Sequence, residues 1–132
     1  AILRDAPCSA TGTCRRHPEV VLSRNEGDIA GRVALQRALI EKAAGLLKPG
    51  GRLVYAVCSL EAEEGEDQLG WVRQALPGLA FVPVTPDAIE AWPAAISGEG
   101  ALRTHPGLAI PGTAGGAMDG FFAARFRLTP EV

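Results

Sequence analysis

Apolar positions in this chain change period several times, and each change marks a boundary between elements. Ile29, Val33, Ile40, Ala44 and Leu47 recur at helical spacing, with Leu35, Leu39 and Leu46 on a second stripe. This predicts a helix over 29–47 covered on two sides. Lys48-Pro49-Gly50-Gly51 ends it: a cation faces the last carbonyls, proline cannot continue the helix, and glycine is free to take positive φ. The unbroken apolar run over 53–57 then suits a strand buried on both faces, as in a parallel sheet. A shorter strand over 1–4 ends at Asp5, because Pro7 lacks the N–H that a central ladder needs.

Glu61, Glu63, Glu64, Glu66 and Asp67 crowd the start of a second helix reaching about residue 76, where carboxylates complement the helix dipole. Pro77-Gly78 breaks that helix and 79–84 predicts a third strand. The Gly- and Pro-rich stretch over 86–118 has no sustained period and reads as loop, with a lid as one use. The run over 120–128 is the last strand. Strand, helix, strand, helix, strand, loop, strand is half of a doubly wound α/β domain. Ligands of such sheets lie beyond the carboxyl ends of the strands.

Composition narrows the function. The 132 residues make one domain, 47% hydrophobic, and a net charge of -2 excludes a broad basic face that would hold nucleic acid by charge alone. Three cysteines, no membrane-length apolar run and no charged-then-apolar leader place the expected home in a reducing cytoplasm. Ala1-Ile2-Leu3 opens inside a strand pattern, so the chain is expected to be the C-terminal part of something longer. Its first strand should then present an unpaired apolar edge suited to self-association.

The chemistry concentrates on two thiols. Cys8, in Asp5-Ala6-Pro7-Cys8-Ser9, and Cys58, in Tyr55-Ala56-Val57-Cys58-Ser59, each follow a strand. If those strands are neighbours, the sulfurs converge. One can then add to an electron-poor ring while the other assists elimination. The competing reading is a pair of buried thiols acting as small hydrophobes. Cys14 reads as structural. A metal site of Cys8, Cys14, His17 and Cys58 lacks the spacing of a zinc knuckle, so no metal is expected. His105 reads as a loop residue. Arg15 and Arg16 form, with His17, the one short basic cluster near the thiols, and are candidates for an RNA phosphate.

The strings Asp5-Ala6-Pro7-Cys8-Ser9-Ala10-Thr11-Gly12-Thr13, Leu47-Lys48-Pro49-Gly50-Gly51, Tyr55-Ala56-Val57-Cys58-Ser59-Leu60 with Glu63-Glu64, and Asp119-Gly120-Phe121-Phe122 occur in that order. Together they resemble the Sun family of RNA cytosine-5 methyltransferases, which includes bacterial 16S ribosomal RNA enzymes. The resemblance spans nearly the whole chain and is weakest over 81–101. It implies the C-terminal half of a Rossmann-like class I methyltransferase domain, with parallel strands and an antiparallel last strand.

By the resemblance, Cys58 is the nucleophile for carbon 6 of cytosine, Cys8 helps release the methylated base, and Asp5 hydrogen-bonds the ring at nitrogen 3. Ser9, Thr11, Gly12, Arg15 and Arg16 would contact substrate. Pro7 would touch the cofactor, S-adenosylmethionine. The partner would be RNA, ribosomal by the nearest analogy, presented as a single strand or with the base flipped out. Val57 departs from the family, which usually has threonine before the nucleophile. The glycine-rich cofactor loop and the acidic ribose partner have no counterpart in this sequence. The 132 residues alone are therefore expected to bind S-adenosylmethionine poorly and to be inactive. A non-catalytic methyltransferase-like module that binds RNA or protein is the alternative.

Overall fold

A computed structural model describes residues 1–130. Strand β1 is Ile2–Asp5, helix α1 Glu19–Ser23, α2 Glu26–Leu46, β2 Arg52–Val57, α3 Glu66–Ala75, β3 Leu79–Phe81, β4 Leu102–Thr104 and β5 Phe121–Leu128. They form an α/β fold around one mixed five-stranded sheet ordered β1-β2-β5-β3, with β4 also on β5. β1 runs parallel to β2, with Asp5 opposite Ala56. β5 runs antiparallel to β2, β3 and β4. The expected antiparallel last strand is therefore present, wedged between β2 and the shorter strands.

Alternation along β2 builds the core. Leu53, Tyr55 and Val57 point to one face and meet Phe126, Ala124 and Phe122 of β5, all buried. Ile40, Ala43, Leu69 and Val72 from α2 and α3 complete the same cluster. Val57 is fully buried there. A threonine at that position would place its hydroxyl among apolar neighbours, so valine is the better fit to this core.

The Lys48 turn has the predicted form. Gly50 takes φ +77° and its N–H reaches Leu128 O at 2.8 Å, while Gly51 O accepts from Leu128 N at 2.8 Å, tying the end of α2 to β5. Asn25 caps α2 with a reciprocal pair, its Oδ1 accepting from Asp28 N and its own N–H bonding Asp28 Oδ2, so the helix starts three residues before the apolar stripe does.

Three expectations need correction. The second stripe of α2 is only partly covered: Leu39 is half-buried, but Leu35 is 45% and Leu46 68% exposed, because among the described residues the helix packs on the sheet from one side only. The third strand stops at Phe81. Beyond it Val82 N still bonds Arg125 O, but Val84 N turns to Gly100 O. The 86–118 stretch is not all loop: β4 pairs with β5 through Leu102, Arg103 and Thr104, a run too short to show a period.

β1 is an edge strand among the described residues, and Leu3 on it is 73% exposed. No described helix is long and apolar enough to cross a membrane.

Candidate active site at two strand ends

Because β1 and β2 are parallel neighbours, the residues that follow them emerge together. Ala6 N continues the ladder to Ala56 O at 2.9 Å, and both chains then turn. This brings Cys8 Sγ to 3.5 Å from Cys58 Sγ. Cys8 is buried, Cys58 is half-buried, and both are free thiols.

Burial is the main cause that pushes the Cys8 thiol up to about 12. A backbone hydrogen bond from Ala10 opposes the rise, and the charge and side-chain hydrogen bond of Cys58 add to it. Cys8 therefore keeps its proton at neutral pH and can donate it to Cys58 Sγ. Stability has a matching pH dependence. A thiol whose pKa is higher folded than unfolded binds more protons in the native state above its ordinary value. Its contribution is complete below 9.0 and is lost as pH rises toward about 12. Tyr55, shifted in the same direction chiefly by burial, adds to this. Urea midpoints are expected to fall above pH 9.0, and less steeply in Cys8→Ala; equal slopes would contradict the assignment.

The two cysteine loops and the segment before β5 are knitted through backbone. Gly12 N donates to Cys58 O at 3.0 Å and Gly12 O accepts from Gly120 N at 2.7 Å. Gly12 has no room for a side chain, since a Cβ there would lie 1.9 Å from Gly120 O, whereas a Cβ on Gly120 would require the Leu60 side chain to move aside. Thr11 Oγ1 accepts from Leu60 N at 3.0 Å, adding a further tie between the loops. Ser9 and Ser59 are fully buried and bond the carboxylate of Glu64.

The remaining predicted residues divide. Asp5 and Pro7 are exposed at the end of β1, between and beside the buried Ala6 and Cys8. Arg15 and Arg16 do not stand free. Both pair with Asp119, Arg15 NH2 at 3.2 Å from Oδ1 and Arg16 Nε at 2.8 Å from Oδ2. The Arg16 hydrogen bond, against the opposing effect of burial, holds the Asp119 carboxyl below its usual range. Arg16 also lies near enough to Cys58 for the sulfur's charge to raise its own pKa, after the larger effect of Asp119.

Cys14 is half-buried, and His17 contacts Glu19. His105 accepts from Gly107 N in a local turn. Among the described residues no three His, Cys, Asp or Glu side chains are grouped to hold a metal.

Sequence reasoning missed three contributors. Glu64 was assigned to a helix dipole, yet it is fully buried. Arg103 grips Glu66 with two bonds of 2.8 and 2.7 Å and donates to Ser59 O at 2.5 Å, its guanidinium lying 5.1 Å from the Phe122 ring. Burial is the largest single influence on Glu66 and opposes its ionisation, but the Arg103 hydrogen bond, a backbone hydrogen bond and the Arg103 charge together outweigh it and lower the pKa. Asp119 opens the last motif string, and its place ahead of Gly120 is its only signal in the sequence.

A mixed α/β sheet whose parallel strands β1 and β2 end side by side is the sheet of a Rossmann-like methyltransferase domain. Solved structures agree with this fold. The crystal structure of PH0851 superposes with a TM-score of 0.75 at 36% identity, covering 94% of this chain and 25% of that one. NSun6 from Pyrococcus horikoshii, solved with SFG, superposes with a TM-score of 0.72 at 27% identity, covering 98% of this chain and 30% of the other.

The family described as 16S rRNA methyltransferase RsmB/F matches residues 1–127, and the chain belongs to it. Ribosomal RNA small subunit methyltransferase B of Salmonella newport is 42% identical over 124 residues, and that of Cronobacter sakazakii 41% identical over 125. In both cases 94% of this chain is covered, and the chain spans about 25% of the relative's length.

Proposed function

We propose that this chain carries the base-binding side of an S-adenosylmethionine-dependent methyltransferase acting on carbon 5 of a cytosine in RNA, ribosomal RNA foremost. The observation that supports this most is the 3.5 Å approach of Cys8 and Cys58 at the ends of neighbouring parallel strands. Family membership and relatives named as small-subunit ribosomal RNA methyltransferases support the substrate class.

Cys58 gives its proton to solvent, its Sγ adds to carbon 6 of the ring, and the displaced π electrons make carbon 5 nucleophilic. Asp5, exposed at the end of β1, is the proposed hydrogen-bond partner of nitrogen 3, favouring a protonated or polarised ring that offsets that charge. Once Cys58 is a thioether, its charge and its side-chain hydrogen bond no longer add to the rise in the Cys8 pKa, while burial, the largest cause, remains. After giving its own proton to solvent, Cys8 takes the proton from methylated carbon 5, and the returning electron pair closes the carbon 5–carbon 6 double bond and expels Cys58 as thiolate.

S-adenosylmethionine, when bound, supplies an electrophilic methyl group. Pro7, exposed beside Cys8, is the residue proposed to touch it, and the chain spans about 25% of its relatives' length. Transfer is therefore proposed for the intact protein rather than for these residues alone.

Arg15 and Arg16, held by Asp119 yet 38% and 53% exposed at their side chains, retain N–H groups for a substrate phosphate. Replacing both with alanine is expected to weaken RNA binding and lower the salt slope by about 1 per lost phosphate contact; an unchanged slope dismisses the role.

RNA carrying 5-azacytidine tests the function. The intact protein is expected to form a denaturant-resistant adduct with it that Cys58→Ser does not form. The absence of any adduct from the parent would leave the non-catalytic alternative.

A further inference from the structure

Glu64 takes no part in the chemistry just described, yet it is the most completely bonded acidic side chain at the site. It is 0% exposed. Its Oε1 accepts from Ser9 N at 2.9 Å and Gln36 Nε2 at 3.1 Å, and its Oε2 from Ser9 Oγ at 2.6 Å and Ser59 Oγ at 2.5 Å. All four donors are neutral. A buried acidic group without a cation beside it is a poor way to gain stability, and is tolerable only when every acceptor site is met.

What those bonds join is specific. Ser9 directly follows Cys8 and Ser59 directly follows Cys58, so one carboxylate holds the residue after each sulfur. Gln36 of α2 also donates to Pro7 O at 2.9 Å, fixing the residue before Cys8. Tyr55 OH donates to Glu64 O at 2.6 Å and anchors the clamp to β2. Behind it Gln68 Nε2 donates to Gln36 Oε1 at 3.1 Å and Arg37 Nε to Gln68 Oε1 at 3.1 Å, so the amide orientations are set by a continuous chain of donors.

We propose that Glu64 is a positioning residue that sets the separation of the Cys8 and Cys58 sulfurs, and through it the order of attack and release. The chemical half of this statement rests on the function proposed above; the geometric half does not.

The experiment reads geometry first. In the intact protein with Cys14→Ser as background, oxidised glutathione is added and closure of the Cys8–Cys58 bridge is followed by mass spectrometry of the linked peptides. One cysteine thiolate displaces a glutathione thiolate, the other cysteine displaces the second, and two reduced glutathiones leave. Glu64→Ala is expected to slow closure by about ten-fold or more, the scale on which ångström misplacements act. Glu64→Gln is expected to stay within about three-fold, since the serine hydroxyls can turn to accept from its amide.

Should Glu64→Ala fail to fold, the Ser9→Ala/Ser59→Ala pair, which keeps the backbone contacts, replaces it with the same expectation. Closure as fast as in the parent, in whichever variant is folded, overturns the proposal. Methyl transfer is the second readout: kcat for RNA falls in Glu64→Ala and recovers in Glu64→Gln while KM holds. A parent that closes the bridge quickly, slows when Glu64 is removed and transfers no methyl would sink the function and leave the clamp. A parent that transfers methyl, with closure indifferent to Glu64, would do the reverse.

Discussion

Replacing Cys58 with serine in the intact protein is expected to lower methyl transfer to RNA by about 10⁴-fold or more, the range seen when a covalent nucleophile is removed. Serine keeps the shape and the half-buried position, so β2 and its ladder to β5 should be unchanged. What is lost is the sulfur. Sulfur is intrinsically a strong nucleophile, whereas a hydroxyl needs an adjacent base to attack at all. Cys8, the thiol hydrogen-bonded to Cys58, is pushed toward its protonated form by burial and is a poor base for a hydroxyl. A Cys58→Ser variant that is folded and transfers methyl within ten-fold of the parent would refute the assignment.

The second large effect concerns a residue with no functional group. Gly12→Ala is expected to destabilise the protein by about 3 kcal/mol or more and to abolish transfer, since overpacking against backbone cannot be relieved by a rotamer change. The new methyl would sit 1.9 Å from Gly120 O and 2.9 Å from Cys58 O, so the bonds joining Gly12 to Cys58 and Gly120 must break together. The matching control is Gly31→Ala on α2, where nothing lies within 4 Å and the added methyl favours helix. Chemical denaturation of both variants checks the pair. Equal stability of Gly12→Ala and the parent would mean that the loops are not locked as described.

Much of this arrangement was legible in the sequence, for identifiable reasons. The end of α2 is written in Lys48-Pro49-Gly50-Gly51, whose residue types each have one structural use there. β2 is an apolar run of strand length between glycine and a polar turn, and the cysteines sit at the strand ends where motif and period agree. Glu64 was not legible. A carboxylate at a helix start looks the same whether it faces solvent or bonds two serines from other loops, and only the fold brings Ser9 and Ser59 beside it.

The Asp119 pair with Arg15 and Arg16 joins residues separated by 104 and 103 positions, beyond the reach of any local pattern. The exposed stripe of α2 misled for the opposite reason. Apolar spacing reports a face suited to burial, and Leu35 and Leu46 have no described element to bury them.

The central claim is that two sulfurs act in turn on one base, Cys58 to bond it and Cys8 to let it go. Incubating Cys8→Ser with ordinary RNA and S-adenosylmethionine, then digesting and sequencing the protein–RNA species by mass spectrometry, tests it most directly. The prediction is a methylated pyrimidine still attached to Cys58, stable to denaturant and absent from the parent. An adduct attached elsewhere, or a variant that turns over freely with no bound nucleotide, would contradict it.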